Sequence, residues 1–114
     1  MIETYVIGFP RIGEKRELKF ALEEFWAGKS DFSTVEKVAN NLRLRHWRYQ
    51  QDASIDYISS NDFSLYDGML DTTVMLGAIP ARFRDITNSV ERYFAMSRGD
   101  EKRAAMAMTK WFNT

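Results

Sequence analysis

Hydrophobic residues follow two patterns along the chain, one typical of short buried strands and the other of amphipathic helices. Two runs of β-branched and aromatic residues, 4–7 and 55–58, are each followed by turn-forming residues and therefore predict short strands. Apolar residues three or four positions apart predict helices in the other segments. The predicted helices extend over about 14–27, from Ser33 to Gln51, from Ser64 to Gly77, from Asn88 to Gly99, and over about 101–112.

Polar residues at two predicted helix starts have the form of capping boxes, in which a Ser accepts a backbone N–H and an acid lies three residues later. Ser33 and Glu36 form one such pair, and Ser64 and Asp67 form the other. Each Ser is therefore predicted to cap the helix that follows it. At the end of the first helix, Gly28 is the predicted C-terminal cap.

The order of these elements, strand, helices, strand, helices, predicts βα units whose strands pair in parallel through right-handed crossovers. No repeat, low-complexity tract or linker divides the 114 residues. Two strands make a poor sheet, because a parallel sheet is normally covered on both faces. We therefore expect residues 1–114 to be a single partial domain, an α/β and predominantly helical fragment of something larger.

Composition excludes several classes of function. The 16 basic and 16 acidic residues give zero net charge, so no overall field favours nucleic acid or an anionic membrane. The chain has no Cys and one His, which rules out disulfides, thiolate metal sites and multi-His metal clusters within it. Because no apolar run approaches a membrane span and the start lacks a basic signal-peptide region, we expect a soluble cytoplasmic protein.

The segment G-F-P-R-I-G-E-K-R-E-L-K, residues 8–19, places basic residues where a helix begins, although helix N-termini favour acids. It comes close to a nucleotide-binding P-loop, which requires Lys directly after the second Gly and then Ser or Thr. Glu14 and Lys15 occupy these two positions instead, and Pro10 removes a backbone N–H from the loop. The segment is therefore not a P-loop.

Arg16 and Lys19 are three residues apart and are expected to project from one side of the first helical turn. One interpretation is a solvated helix end, with Glu14 and Glu17 supplying the acids that the helix dipole favours, and spacing alone favours it. The other is an anion site, because free N–H groups and basic side chains converge where a strand passes into a helix. In βα units that junction lies at the edge where ligands bind.

Other candidate residues favour structural roles. Residues 43–49, R-L-R-H-W-R-Y, interleave bases with aromatic residues, but without a basic field an amphipathic helix with solvated arginines explains them better than nucleic-acid binding. His46 lacks a Ser or Cys nucleophile context and is expected to be an ordinary helix residue. Residues 61–64 lie on the loop side after a predicted strand, yet helix initiation by Ser64 explains them.

Taken together, these segments resemble the N-terminal part of the cobalamin-independent methionine synthases, zinc-dependent enzymes that methylate homocysteine. The resemblance is carried by residues 8–19, by Leu42-Arg43 with Trp47 and Gln51, by I-D-Y-I-S-S-N-D-F-S-L-Y-D at 55–67, and by M-T-K-W-F-N-T at 108–114. One departure is Ser54, which stands in an Ala-Ser-Ile-Asp run where the family usually has Ala-Gly-Ile-Asp.

The resemblance implies a full enzyme of two (βα)8 barrels, of which this chain is the opening part of the first. The zinc and homocysteine sites of the family belong to the second barrel, so no cofactor, metal ligand or catalytic residue is expected in this chain. The resemblance also implies that Arg16, Glu17, Leu18 and Lys19, together with Lys110, hold the polyglutamate tail of methyltetrahydrofolate.

The implied function is that of a part of a methyltransferase in methionine biosynthesis, which transfers a methyl group from 5-methyltetrahydrofolate polyglutamate to homocysteine. Its partner is then the remainder of the enzyme, and by itself the chain is expected to be inactive. An incomplete barrel exposes apolar surface, so we also expect self-association. The alternative is a non-enzymatic helical module whose apolar faces bind a protein partner.

Overall fold

The computed structural model describes residues 1–106, and these are predominantly helical. They contain four α-helices, α1 (Glu17–Trp26), α2 (Phe32–Asp52), α3 (Gly68–Met75) and α4 (Ser89–Arg98), and a 3₁₀ turn at Ala81–Phe83. The described residues divide into two compact units, the first of residues 1–65 and the second beginning at Tyr66. No helix within residues 1–106 is long and apolar enough to cross a membrane.

In the first unit the two predicted strands meet in a single parallel bridge between Tyr5 and Tyr57. The Tyr57 N–H donates to the Thr4 carbonyl at 3.1 Å, and the Asp56 carboxylate accepts from the N–H and hydroxyl of Thr4 at 2.8 and 3.0 Å. The predicted parallel direction is confirmed, but neither segment forms an extended strand. Two strands alone are marginal in water, and here both tyrosines are exposed. The described residues thus fit a mainly helical α/β class, with strand pairing reduced to one bridge.

The core of the first unit lies between α1 and α2, whose apolar residues recur at helical spacing as predicted. Burying one Leu side chain stabilises a fold by about 1.5–3 kcal/mol, so these stripes account for the pairing of the two helices. The buried apolar residues are Leu18, Ala21 and Leu22 on α1, and Val35, Ala39 and Leu42 on α2.

Aspartates, rather than the predicted serines, cap two of the helices. Asp31 accepts from the Thr34 N–H at 3.1 Å and precedes α2, whereas the hydroxyl of Ser33 donates to the Asp31 carboxylate at 2.7 Å. Asp67 accepts a backbone N–H at 2.7 Å and precedes α3, while Ser64 is buried upstream of it. The predictions were wrong because a carboxylate satisfies the free N–H groups and also interacts with the helix dipole.

In the second unit, α3, α4 and the 3₁₀ turn surround a small apolar core. Asn88 caps α4 by accepting from the Glu91 N–H at 3.0 Å, and Gly99 ends this helix, so it begins and ends where the sequence predicts. The buried residues of the core are Leu70, Phe83, Ile86, Ala95 and Met96.

The helix predicted over about 101–112 is absent from residues 101–106, which form bends. The Asp100 carboxylate accepts from the N–H groups of Lys102 and Arg103 at 2.8 and 2.7 Å, and the Arg103 guanidinium pairs with Asp85 and Asp100. An Asp that bonds nearby backbone groups in this way offers the chain an alternative to the helix. The rest of the predicted helix, with Lys110, lies outside the described residues.

Candidate functional site

The basic segment, residues 8–19, follows the bridge at Tyr5 and leads into α1. Its first residues are hydrogen-bonded to residues 62–65, which follow Tyr57, the other residue of the bridge. The Phe9 N–H donates to the Asp62 carboxylate at 2.7 Å, and the Arg11 guanidinium donates to the Leu65 carbonyl at 3.0 Å. The two paired segments therefore meet again beyond the bridge, at the edge where the sequence predicts a ligand site.

A tight turn at Gly13 delays the start of α1. Gly13 has φ +93°, and a Cβ there would overlap the Glu17 carboxylate and lie 2.9 Å from the Leu42 side chain of α2. The Arg16 N–H donates to the Gly13 carbonyl at 3.0 Å and closes the turn. Residues that periodicity assigned to the helix are therefore part of this turn, and α1 begins at Glu17 instead of at about residue 14.

Arg16 lies immediately before α1 in the left-handed conformation, with φ 60° and ψ 32°. This conformation costs a residue that has a Cβ roughly 1–2 kcal/mol. The Arg16 side chain is exposed and, among residues 1–106, has no hydrogen-bonding or ion-pair partner; the same holds for the side chain of Lys15. Arg16 thus precedes the first helical turn, instead of belonging to it as predicted.

Glu17, the next residue, is occupied by an ion pair within the first unit. Its carboxylate accepts from the Arg45 guanidinium of α2 at 3.0 Å and from the Lys15 N–H at 3.3 Å. Hydrogen bonds, first from its own backbone N–H and then from Arg45, lower the pKa of Glu17. The carboxylate therefore stays charged near neutral pH and ties the start of α1 to α2.

The last two residues of the predicted site differ sharply in exposure. Leu18 is fully buried in the core between α1 and α2. Lys19 pairs with Glu23 one turn later at 3.1 Å, and both side chains are about half exposed. Exposed pairs of this kind contribute little to stability, so Lys19 is available to another anion, whereas the side chain of Leu18 is enclosed by the core.

Helix α2 packs His46 against the start of the basic segment. His46 is 5% exposed and stacks on Phe9, with ring centroids 4.3 Å apart. Burial, and after it the charge of Arg45, lowers the pKa of His46, so the ring is neutral near pH 7. His46 is therefore an ordinary helix residue, as the sequence predicted, and it holds the loop through its contact with Phe9.

A groove of about 410 Å³ lies along α2 beside Glu17, and no sequence motif indicated it directly. The amphipathic pattern had favoured a solvated face for the arginines of α2. A usable signal was the position of Arg45, three residues after the buried Leu42 and thus on the stripe that faces α1. The groove is lined by Glu17, Val38, Asn41, Leu42, Leu44, Arg45 and Arg48.

Zinc and Lys110 are the two remaining features that the family resemblance raises. Within residues 1–106 no three His, Asp or Glu side chains come together as metal ligands, so the residues present do not fit a zinc ion. Lys110 lies beyond the described residues.

Comparison with known proteins matches this chain to one family. The family model described as "Cobalamin-independent synthase, N-terminal domain" matches residues 3–114. Over 97% of its length the chain is 61% identical to a 5-methyltetrahydropteroyltriglutamate-homocysteine methyltransferase of Desulforamulus reducens. Over 99% of its length it is 50% identical to the chloroplastic 5-methyltetrahydropteroyltriglutamate-homocysteine methyltransferase 3 of Arabidopsis thaliana. The chain spans 14% of the length of each of these two relatives.

Proposed function

The chain belongs to the family of the cobalamin-independent synthase N-terminal domain, and on this premise we propose that it is part of a methyltransferase that makes methionine. The enzyme transfers a methyl group from 5-methyltetrahydrofolate polyglutamate to homocysteine, and this chain helps to bind the polyglutamate tail. It supplies no catalytic group, and the zinc of the full enzyme is assigned to residues outside 1–106. The rival function, a non-enzymatic interaction module, is not favoured, because the relatives above are named as methyltransferases.

The observation that supports tail binding is the backbone of Arg16. A left-handed Arg is unfavourable, and such strain persists where the surrounding structure imposes it, often at ligand sites. Here the strain places a guanidinium without an ion-pair partner in residues 1–106 directly before the N-terminus of α1. The dipole of α1 leaves partial positive charge at that end, which adds to the attraction for a carboxylate.

The other predicted residues have distinct roles in this proposal. Lys19 exchanges its surface pair with Glu23 for a carboxylate of the tail, and Lys110 adds a third cation to Arg16 and Lys19. Glu17 and Leu18 do not contact the ligand but fix the segment, the first through Arg45 and the second through the core. Because each exposed ion pair contributes only about 0.2–1 kcal/mol, a tail with several carboxylates gains affinity by meeting several cations.

Replacing Arg16 with Gly tests this role, because binding and stability should change in opposite directions. Gly adopts the left-handed conformation without the Cβ penalty, so Arg16→Gly should be about as stable as the parent or up to about 1 kcal/mol more stable. The same variant should bind pteroyltriglutamate about 2- to 5-fold more weakly, the value of one exposed ion pair. Calorimetric titration with the triglutamate and monoglutamate forms measures the binding, and urea unfolding measures the stability.

Lys29→Gln is the matched control, because Lys29 is exposed and lies beyond the opposite end of α1. It removes the same charge and should leave the preference for the triglutamate form unchanged. Equal affinity of the parent chain for the triglutamate and monoglutamate forms would contradict the proposal, and so would an unchanged affinity in Arg16→Gly.

We also propose that the chain by itself self-associates through the edge of the bridge. Tyr5 and Ile7 are 70% and 89% exposed, and with Tyr57 and Ile58 they line an open apolar groove of about 530 Å³. Unpaired backbone and apolar side chains together favour pairing with a second copy. Sedimentation should show concentration-dependent association that Ile7→Lys weakens, and a monomer at all concentrations would exclude it.

A further inference from the structure

The groove along α2 offers a second cationic position next to the basic segment. We propose that it receives carboxylates of a longer polyglutamate tail, beyond those bound at Arg16 and Lys19, and that Arg48 is the residue that binds them. This inference rests on the proposed function and extends it to tail length: the chain discriminates between shorter and longer tails.

The groove is continuous with the basic segment through one ion pair. Glu17, which directly follows Arg16, lines the groove and pairs with Arg45 at 3.0 Å. Asn41, Arg45 and Arg48 are four and three residues apart along α2 and so lie on one face of the helix. At 1.5 Å per residue, this row spans about 10 Å along the helix, and Arg48 lies about 4.5 Å along the axis beyond the Glu17 contact at Arg45.

Charge in the groove favours an anion. Glu17 and Arg45 neutralise each other, so Arg48 carries the uncompensated charge of the lining. Among residues 1–106 the Arg48 side chain has no hydrogen-bonding or ion-pair partner, and it is exposed. A planar guanidinium is suited to bind a carboxylate through two parallel hydrogen bonds, and Asn41 adds an amide donor on the same face.

The remaining lining suits the polyglutamate chain between its carboxylates. Val38 and Leu44 supply apolar surface along the groove, above the buried Leu42. Each glutamyl unit has methylene groups that can lie against such a surface while its carboxylate reaches the rim. A groove with an apolar floor and a cationic rim thus matches a flexible polyanion with methylene spacers better than a free inorganic ion, for which the floor offers nothing.

The test uses the whole chain and two probes without the pterin, γ-linked triglutamate and γ-linked hexaglutamate. We expect hexaglutamate to bind more tightly than triglutamate in calorimetric titration at low salt. Arg48→Gln should weaken hexaglutamate binding about 2- to 5-fold, as expected for one exposed ion pair, and should leave triglutamate binding unchanged. Lys29→Gln is the control and should change neither, and circular dichroism verifies that all variants keep their helices.

The outcomes separate this inference from the proposed function. If Arg48→Gln leaves the affinity advantage of hexaglutamate over triglutamate unchanged, the groove is not the second site. The same follows if Lys29→Gln weakens hexaglutamate binding as much as Arg48→Gln does. In both cases tail binding at Arg16 can still hold. If the variant Arg16→Gln, Lys19→Gln binds triglutamate as well as the parent, the proposed function fails. If neither peptide binds the folded parent chain, both are overturned.

Discussion

Gly13 is the position where a single added methyl group should disturb the site most. Its φ of +93° already disfavours any other residue. A Cβ at this position would also overlap the Glu17 carboxylate and lie 2.9 Å from Leu42, a core residue with 1% exposure. Gly13→Ala therefore combines backbone strain with steric overlap, at the turn that fixes Arg16.

The chain provides a matched control at Gly28, which has φ +72° but no heavy atom within 4 Å of the place that an added Cβ would occupy. Gly28→Ala should cost about 1–2 kcal/mol, the strain of the left-handed conformation alone. Gly13→Ala has the same strain and an additional cost of about 1–3 kcal/mol for overpacking. We expect it to be less stable than Gly28→Ala by roughly 2 kcal/mol, a large part of the total stability of a small domain.

Urea unfolding followed by circular dichroism measures this difference. With a slope of about 1–3 kcal/mol per M, a difference of ~2 kcal/mol separates the two unfolding midpoints by about 1 M. A second comparison uses Glu17→Ala, which removes the first overlapping group. In the Glu17→Ala background, Gly13→Ala should lower the free energy of unfolding by less than it does in the parent chain, because only the contact with Leu42 remains.

Equal midpoints for Gly13→Ala and Gly28→Ala would refute the reasoning, since they would mean that the space beside Gly13 is not filled as described. A cost of Gly13→Ala that is independent of Glu17 would show that the overlap with its carboxylate adds nothing to the lost stability. Weaker binding of triglutamate by Gly13→Ala should accompany its lower stability, because the turn positions Arg16.

Three further predictions concern single residues. His46 has a lowered pKa in the folded state, so its protonation favours the unfolded chain. The free energy of unfolding should therefore be constant above about pH 6.5 and fall below it. In urea titrations between pH 7 and 5, His46→Phe should remove this fall. Ser54, at φ 59°, occupies a position that suits Gly, and Ser54→Gly should raise the free energy of unfolding by about 0.5–1 kcal/mol; a loss of stability would contradict this. Asp67→Ala should cost about 1 kcal/mol through loss of the α3 cap, whereas Asp67→Asn should retain most of it, and equal unfolding midpoints for the two variants would exclude the cap.

The helices of the first unit follow from patterns that lie within a few residues. Leu18, Leu22, Val35 and Leu42 are spaced to form one apolar stripe on each helix, and the structure buries all of them. The direction of pairing between residues 4–7 and 55–58 was also predictable, because a helical connection between strands favours a parallel arrangement. The capping residues were not, since Ser33 and Asp31 are both acceptable caps, and only the structure shows that the Asp31 carboxylate accepts the Thr34 N–H.

By itself, then, the sequence determined the helical stripes, the absence of thiol and multi-His chemistry, and the family, because these depend on residue types and short spacings. The tertiary structure decided how the basic segment is used. The pair between Glu17 and Arg45 joins residues 28 positions apart, and the left-handed Arg16 follows from a turn packed against Leu42. Local spacing can place Arg45 on the face toward α1, but it does not specify its partner, because such contacts form only when the buried stripes of α1 and α2 bring the two helices together.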